Sequence, residues 1–203
     1  MKKEMKTELT KEKILSAAMK EFGAKGYEGA SLNHICETGI AKGLLYHNYE
    51  NKDALFLACV DECFHTLTEY LKNADIGTDL HQYAQARLTF FRGHENEARL
   101  FFESVLQPPV SLKDQISKAR APFDAFNREL YSRILDTTIL RPDITKEDAI
   151  QNYGLLQEMF NGYFSSPAVS GLSFTDTMAA HEKGLSKMLD YMLYGIARRG
   201  ETK

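Results

Sequence analysis

Apolar residues recur along most of the chain at intervals of three and four positions, and the alternation typical of strands is nearly absent. Near the N-terminus, Ile14, Ala18 and Phe22 form one such stripe, and Thr10 is the predicted N-cap of a helix over 11–25. The same periodicity, together with capping and turn residues, predicts eight more helices. They comprise a short helix between Ser31 and Gly39 and helices over 41–49, 52–73, 79–93, 95–106, 112–136, 146–164 and 175–197.

This pattern predicts an all-α chain of about nine helices in two parts. We expect an N-terminal three-helix bundle over 8–67, with a helix-turn-helix motif at about 31–49, and a larger helical domain over 68–203. Neither an internal repeat nor a low-complexity segment interrupts the pattern.

A tight turn at Gly39 joins two short helices, the arrangement that places the second helix in the major groove of DNA. In that helix Leu45 and Tyr49 share the inward side, whereas Gly43 and His47 point outward. The outward side offers hydrogen-bond donors for phosphates and an apolar side chain that could contact a thymine methyl. It also has a glycine, which lets the protein backbone come close to a phosphate. The candidate DNA-contacting residues are Ser31, Lys42, Gly43, Leu44, Tyr46, His47, Asn48 and Lys52.

Residues 10–55 resemble the DNA-binding region of the tetracycline-repressor (TetR) family of bacterial transcription regulators. The most specific part is Lys42-Gly43-x-Leu45-Tyr46-His47-x-Tyr49-x-x-Lys52, in which turn, core and phosphate positions agree together. The match covers under a quarter of the chain. The other matching positions are Ile14, Ala17, Ala18, Phe22, Gly26, Tyr27, Ser31, Ile35 and Gly39.

The resemblance implies DNA binding as a homodimer and a divergent C-terminal domain that receives a small molecule and dimerises. We therefore predict a ligand-responsive transcriptional repressor that is released from its double-stranded DNA operator by an unknown small-molecule effector. The predicted mechanism is a population shift, in which the effector favours a conformation with the helix that starts at Lys52 swung away from its DNA-binding position. One alternative is a helical ligand-binding or interaction protein that has lost DNA binding. Another is a helical enzyme acting in an aromatic cavity.

Four features depart from the family pattern. Only three residues separate Ile35 from Gly39, one fewer than usual, which predicts an early end to the second helix or a tighter turn. Ala41 stands where Ser or Thr often caps the recognition helix, a loss of about 1 kcal/mol. Leu44 replaces a hydrogen-bonding residue, and Asn48 replaces an aromatic one.

Aromatic residues are concentrated beyond Leu55, where 18 of the 22 occur. They are able either to line an apolar cavity for a small molecule or to fill an ordinary core, and the sequence leaves both uses open. The predicted ligand-pocket residues are Phe90, Phe102, Arg120, Phe123, Asn127 and Phe160.

The last two predicted helices each have a sustained apolar stripe, which is compatible with internal core. In the family that the chain resembles, the last two helices pair with those of a second copy, so the resemblance implies a dimer interface. The predicted interface residues are Tyr153, Leu156, Phe164, Met178, His181, Leu185, Met188 and Met192.

Cys59 and Cys63 lie four positions apart on one predicted helix, a spacing able to hold a metal or sense oxidants. Their apolar neighbours, such as Phe56 and Val60, favour core packing instead. The six histidines form no pair at ligand spacing, and phosphate-loop and nucleophile motifs are absent. We expect no metal, no cofactor and no enzymatic activity.

The net charge of −3 gives no global reason to approach nucleic acid. The first 55 residues, however, hold nine lysines against eight acidic residues, so the acidity belongs to the remainder. Operator affinity should therefore depend on a few placed phosphate contacts and on dimer geometry. The longest apolar run, residues 54–60, is too short to span a membrane, and the three cysteines fit a reducing compartment, so we expect a cytoplasmic protein without membrane association.

Overall fold

The computed structural model describes residues 2–169 and 171–196, and within them it contains nine α-helices, two 3-10 turns and no extended strand. The all-α prediction is confirmed. Helices α4 to α9 have bounds within one residue of those predicted, except that the predicted end at Ala197 lies outside the described residues. The elements are α1 (Lys2–Gly29), α2 (Leu32–Glu37), α3 (Lys42–Asn48), α4 (Lys52–Asn73), α5 (Leu80–Gly93), α6 (Glu95–Leu106), a 3-10 turn (Val110–Leu112), α7 (Lys113–Asp136), α8 (Lys146–Phe164), a 3-10 turn (Pro167–Val169) and α9 (Phe174–Ile196).

Helix α1 differs from its prediction at the N-terminal end. It begins at Lys2, so Thr10 lies inside the helix and the predicted N-cap there is wrong. The lysines, glutamates and methionines before Thr10 are good helix formers with no breaker among them, so the helix continues through them. At the other end, Gly26 interrupts the helix with φ 68° and ψ 175°, next to the predicted end at Lys25.

Packing divides the chain into two units that alternate along the sequence. The first unit is Met1–Thr66 with Phe91–Ala121, and the second is Leu67–Phe90 with Pro122–Lys203. The chain therefore passes from one unit to the other within α4, α5 and α7. The sequence-based domain boundary at 67/68 remains a prediction.

The first unit has a core built from α1, α4 and α6. Ile14, Ala18 and Phe22 are each at most 1% exposed, as the stripe in α1 predicts. Phe22 packs against Phe56 of α4 with ring centroids 5.0 Å apart. Helix α6 lies along α1, and Phe101 of α6 contacts Phe64 of α4 at 5.4 Å. This core supports the short helices α2 and α3, each of which buries one apolar side chain.

The second unit is formed by parts of α4, α5 and α7 together with α8 and α9. Tyr131 of α7 stacks on Tyr153 of α8 with centroids 4.5 Å apart. Helices α8 and α9 approach closely at Gly184, where an added methyl group would lie 3.2 Å from the Phe160 ring. No described helix has both the length and the apolar character that a membrane span requires.

Candidate nucleic-acid interface

Local hydrogen bonds fix α2 and the turn that follows it. Ser31 Oγ accepts a hydrogen bond from the Asn33 N–H at 3.2 Å and caps the helix. The Thr38 hydroxyl donates to the Ile35 carbonyl at 2.7 Å beyond the end of α2. Gly39 then adopts φ 98°, a left-handed conformation that glycine tolerates without strain. A six-residue α2 thus accommodates the shortened spacing between Ile35 and Gly39, as predicted.

Helix α3 turns one side chain inward and presents the others towards solvent. Leu45 is fully buried, whereas Leu44 and Tyr46 are 41% and 44% exposed. Lys42 and His47 are exposed as well, and Tyr49 at the C-cap is half-buried. The inward position of Leu45 and the outward position of His47 agree with the sequence analysis. A single buried anchor leaves most of the surface of α3 available to a partner.

Three details of α3 bear on contacts with a partner. A methyl group added at Gly43 would meet nothing within 4 Å, so packing inside the chain does not require glycine there. Ala41 at the N-cap makes no side-chain hydrogen bond, so the lost cap is confirmed. Asn48 is half-buried, and its Nδ2 donates to the Leu44 carbonyl at 2.8 Å, which uses one amide hydrogen inside the helix.

Two lysines near α3 are oriented by neighbouring groups. Lys52 Nζ donates to the Glu28 carbonyl at 3.2 Å and lies 4.8 Å from the centroid of the Tyr27 ring. Lys42 Nζ lies 3.5 Å from Asn33 Oδ1. The Lys52 ammonium is thus held at the C-terminal end of α1, and the Lys42 ammonium lies beside the Asn33 side chain of α2.

Tyr27, beyond the kink in α1, contacts two other helices of the first unit, α4 and α6. Its hydroxyl donates to Asp53 Oδ1 at 2.5 Å, and its ring packs edge-on against Phe56 at 4.9 Å. Its backbone N–H donates to Glu103 Oε1 of α6 at 2.8 Å. The hydrogen bond to Asp53, and then partial burial, raise the pKa of Tyr27 to about 12. Tyr27 is a matching position of the family resemblance, but its contact with Glu103 spans 76 positions and leaves no periodic signal in the sequence.

Glu21 holds the start of α2 against α1. Its Oε1 accepts hydrogen bonds from the Ser31 N–H at 3.0 Å and from Lys25 Nζ at 2.9 Å, and it lies 3.3 Å from His34 Nδ1. Burial acts to raise the pKa of Glu21, but the hydrogen bonds from Lys25, Ser31 and His34 outweigh it and lower the pKa. A charged Glu21 therefore fixes the N-terminus of α2 beside the candidate recognition helix.

The predicted ligand-pocket residues fall in both units. Phe102 and Arg120 belong to the first unit, and Phe90, Phe123, Asn127 and Phe160 belong to the second. Phe90, Phe102, Phe123 and Asn127 are buried, and Arg120 and Phe160 are half-buried.

Most of the predicted dimer residues are buried in the core of the second unit. Buried members are Tyr153, Phe164, Met178, His181, Leu185 and Met192, and half-buried members are Leu156 and Met188. Side chains buried in a single copy pack its own core and offer little surface to a second copy. The exposed large apolar side chains of α8 and α9 are instead Leu155, Met159, Tyr163, Tyr191 and Tyr194.

Cys59 and Cys63 are buried, and Cys63 Sγ donates to the Glu97 carbonyl at 3.1 Å. Burial raises the pKa of both thiols well above the ordinary value, which disfavours the thiolate needed for metal binding or oxidation. No group of three candidate ligands able to hold a metal occurs among the described residues. Core packing is therefore the role that the geometry supports for these two cysteines.

An ionic cluster inside the second unit went unrecognised in the sequence. Arg87 of α5 donates to both carboxylate oxygens of Glu182 of α9, at 2.9 and 2.7 Å, and His181 Nδ1 lies 3.1 Å from Glu182 Oε1. All three side chains are at most 3% exposed. The sequence shows only an acidic residue beside the apolar stripe of α9, a position that is equally compatible with the solvated edge of a helix. We call Arg87, His181 and Glu182 the buried ionic cluster.

Comparison with known proteins agrees with this geometry. Residues 14–59 match the family described as "Bacterial regulatory proteins, tetR family". A negative transcriptional regulator of a biofilm operon, IcaR from Staphylococcus epidermidis, is 25% identical over 142 residues, which cover 69% of this chain and 76% of that protein. The transcriptional repressor AcnR from Corynebacterium jeikeium is 39% identical over 72 residues, 34% of this chain and 38% of that one.

A solved structure extends the comparison to nearly the whole fold. The regulator FadR from Bacillus subtilis in complex with stearoyl-CoA is similar with a TM-score of 0.62 and 15% identity, covering 91% of this chain and 98% of that one. At this level of identity the similarity concerns the fold.

Two short helices joined at a glycine turn, the second with an exposed surface, form a helix-turn-helix, and the match and the relatives place it in the class of DNA-binding transcription regulators. With the match over residues 14–59 and regulators among its relatives, the DNA-binding region of the chain is of the type found in the TetR family of bacterial transcriptional regulators. The resemblance found in the sequence is thereby confirmed.

Proposed function

We propose that this regulator is a cytoplasmic, homodimeric and non-enzymatic repressor that leaves its operator when a small molecule binds to its C-terminal helices. The observation that carries the proposal is α3, a helix with Leu45 as its one buried side chain and with a tyrosine, a lysine and a histidine facing outward. Surfaces of this kind bind the major groove. Repression is the activity named for IcaR and AcnR, and it supports the same direction of control here.

Each side chain around α3 has a distinct proposed task. Lys42, Tyr46 and Lys52 donate to phosphates, which set affinity and register. Gly43 admits a phosphate close to the backbone, and Leu44 contacts a thymine methyl. We name the following residues the recognition surface: Ser31, Lys42, Gly43, Leu44, Tyr46, His47, Asn48 and Lys52.

An effector site within the second unit is supported by two buried polar groups. Asn127 Nδ2 and Tyr131 Oη have no hydrogen-bond partner among the described residues, although both side chains are at most 2% exposed. Native chains seldom leave such groups unpaired, so an acceptor on a bound molecule is a reasonable partner. FadR with stearoyl-CoA supports the view that this fold accommodates a small ligand. Phe90, Phe123 and Phe160 are the proposed apolar lining, and Phe102 and Arg120 remain predictions.

Dimerisation gives the recognition surface its geometry. Two recognition helices must lie about 34–36 Å apart to enter successive major grooves, which requires a second copy of the chain. We assign the interface to the exposed apolar positions of α8 and α9, with the half-buried Leu156 and Met188 at its edge.

Footprinting on the DNA that flanks the gene, with wild type and the variants Lys42→Ala and Tyr46→Ala, tests the proposal. Wild type should protect one discrete site, and each variant should lose about tenfold in affinity. Because Lys42 neutralises a phosphate, its variant should also lower the salt slope of binding by about 1.

Lys72→Ala is the matched control, because it removes the same charge from an exposed lysine outside the first unit. It should bind the operator like wild type. Small-molecule binding without any selective DNA affinity would reject the regulator and support a ligand-carrying protein instead.

A further inference from the structure

Helix α6 reaches the DNA-binding part of the first unit through one carboxylate. The kink at Gly26 removes Tyr27 from the regular hydrogen bonds of α1, and the Tyr27 N–H donates instead to Glu103 Oε1 at 2.8 Å. Glu103 lies in the last turn of α6, 76 positions away in sequence. This hydrogen bond therefore anchors the backbone at the kink to a separate helix.

Two glycines of α1 allow α6 to come so close. A methyl group added at Gly23 would lie 2.7 Å from Asn96 Oδ1 and 2.9 Å from Asn96 Cα. A methyl group at Gly26 would lie 3.2 Å from Glu103 Oε1. Any larger residue at Gly23 would push the two helices apart, because the Asn96 backbone cannot yield as a flexible side chain can.

The anchored segment is the one that orients Lys52. Lys52 Nζ donates to the carbonyl of Glu28, the residue after Tyr27, and its ammonium lies over the Tyr27 ring at 4.8 Å. The Tyr27 hydroxyl in turn donates to Asp53 Oδ1 at the start of α4. The two groups that direct the Lys52 ammonium thus belong to Tyr27, whose N–H is bound by Glu103, and to Glu28, the next residue along the chain.

An acidic side chain at this place has an electrostatic cost for DNA binding. Glu103 is partly buried near Glu28 and Lys52, so its negative charge opposes a polyanion approaching Lys52. A purely electrostatic role would make its removal strengthen DNA binding. If Glu103 instead orients Lys52, its removal should weaken DNA binding. The direction of the change in affinity therefore separates the two roles.

We propose that Glu103 is a positioning residue for DNA binding, which acts through the Tyr27 backbone to hold the Lys52 ammonium towards an operator phosphate. The role rests on the proposed function, in which Lys52 contacts the DNA backbone.

Operator affinity and its salt slope, measured on the full-length chain with the footprinted duplex, test this role. Glu103→Ala should weaken binding about five- to tenfold and lower the salt slope by about 1, as Lys52→Ala should also do. The double variant should bind no more weakly than Lys52→Ala alone, because both changes remove the same contact. Glu103→Gln keeps the acceptor oxygen and should bind at least as tightly as wild type.

Glu95→Ala is the matched control, since it removes an equal charge from an exposed position on the same helix and should leave affinity unchanged or slightly higher. If Glu103→Ala unfolds at a lower temperature than wild type, Glu103→Met replaces it in the test. Methionine keeps the length of the side chain but has no carboxylate acceptor, so Glu103→Met should show the same loss of operator affinity.

The positioning role is overturned if folded Glu103→Ala or Glu103→Met binds the operator at least as tightly as wild type. It is also overturned if the losses of affinity from Glu103→Ala and Lys52→Ala add in full in the double variant. In either case the proposed function stands. A wild type without any selective operator binding rejects the proposed function and this role together.

Discussion

Lys42, Tyr46 and His47 extend from α3 into solvent, whereas Arg87, His181 and Glu182 are enclosed in the second unit. The two sets use similar chemical groups under opposite conditions. Exposed polar groups cost the fold little, so they are available to a partner. Buried charges must find partners inside the chain, so they restrict how α5 and α9 pack. The difference separates side chains available for recognition from side chains committed to structure.

Burial and ion pairing together set the charges inside the buried ionic cluster. Burial acts to raise the pKa of Glu182, but the Arg87 guanidinium and the hydrogen bond from His181 outweigh it and hold the pKa below its ordinary value. Burial lowers the pKa of His181 despite its contact with Glu182. The pair of Arg87 and Glu182 therefore stays charged while His181 favours the neutral form, and the cluster holds one charge of each sign.

Breaking the buried pair should have the largest effect on stability. Glu182→Ala leaves the Arg87 charge buried without its carboxylate, so we expect the free energy of unfolding to fall by about 3–5 kcal/mol. Urea unfolding followed by circular dichroism measures the change. The double variant Arg87→Met with Glu182→Leu should recover most of the loss, because it removes both charges.

The exposed pair of Lys72 and Glu69 supplies the control in the same unit, since Glu69→Ala there should cost less than about 1 kcal/mol. An equal cost at Glu69 and Glu182 would contradict the contrast between buried and exposed charges.

A row of exposed apolar side chains on α8 contrasts with the buried charges of the same unit and allows a test of the proposed dimer interface. Leu155, Met159 and Tyr163 are spaced by four residues and are 59%, 62% and 54% exposed. Met159→Glu should weaken dimerisation about a hundredfold, or about 2.7 kcal/mol, by placing a charge in an apolar interface. Analytical ultracentrifugation measures the dissociation constant.

The stability of the Met159→Glu monomer should change by no more than about 0.5 kcal/mol, because the position is largely exposed. Gln115→Glu adds the same charge at an exposed position of α7 and should leave the dimer intact. A Met159→Glu variant that still dimerises like wild type would place the interface elsewhere.

The smallest effect is expected at the uncapped start of α3. Ala41 has φ −60° and ψ 129°, a conformation that suits an N-cap, yet it has no acceptor. Ala41→Ser should stabilise the chain by about 1 kcal/mol in urea unfolding. Ala41→Val, which has no acceptor either, should give no gain. If both variants unfold like wild type, capping at α3 has no influence on global stability.

Much of the architecture was predictable because helical periodicity is a local property. The bounds of α4, α6 and α8 coincide with the predicted ones, since capping residues and glycine or proline breaks mark them in the sequence. The motif from Gly39 to Lys52 likewise showed the turn and the buried Leu45. Thr10 misled, because a residue suited to an N-cap is also tolerated inside a helix when good helix formers precede it.

Helix α8 shows why the surface of the second unit was harder to predict. Its apolar residues occupy two adjacent faces, one containing Tyr153 and Phe164 and the other containing Leu155, Met159 and Tyr163. Periodicity detects both faces equally well, and only the packing of α7 and α9 against α8 determines which one is buried.

The sequence by itself determined the helices, the helix-turn-helix motif and the family, because these depend on residues close together in the chain. The tertiary structure alone decided that Glu103 holds Tyr27, that Glu182 pairs with Arg87 and that Met159 is exposed. The first two contacts join residues 76 and 95 positions apart. Burial and pairing over such separations arise from the packing of whole helices, which no local pattern encodes.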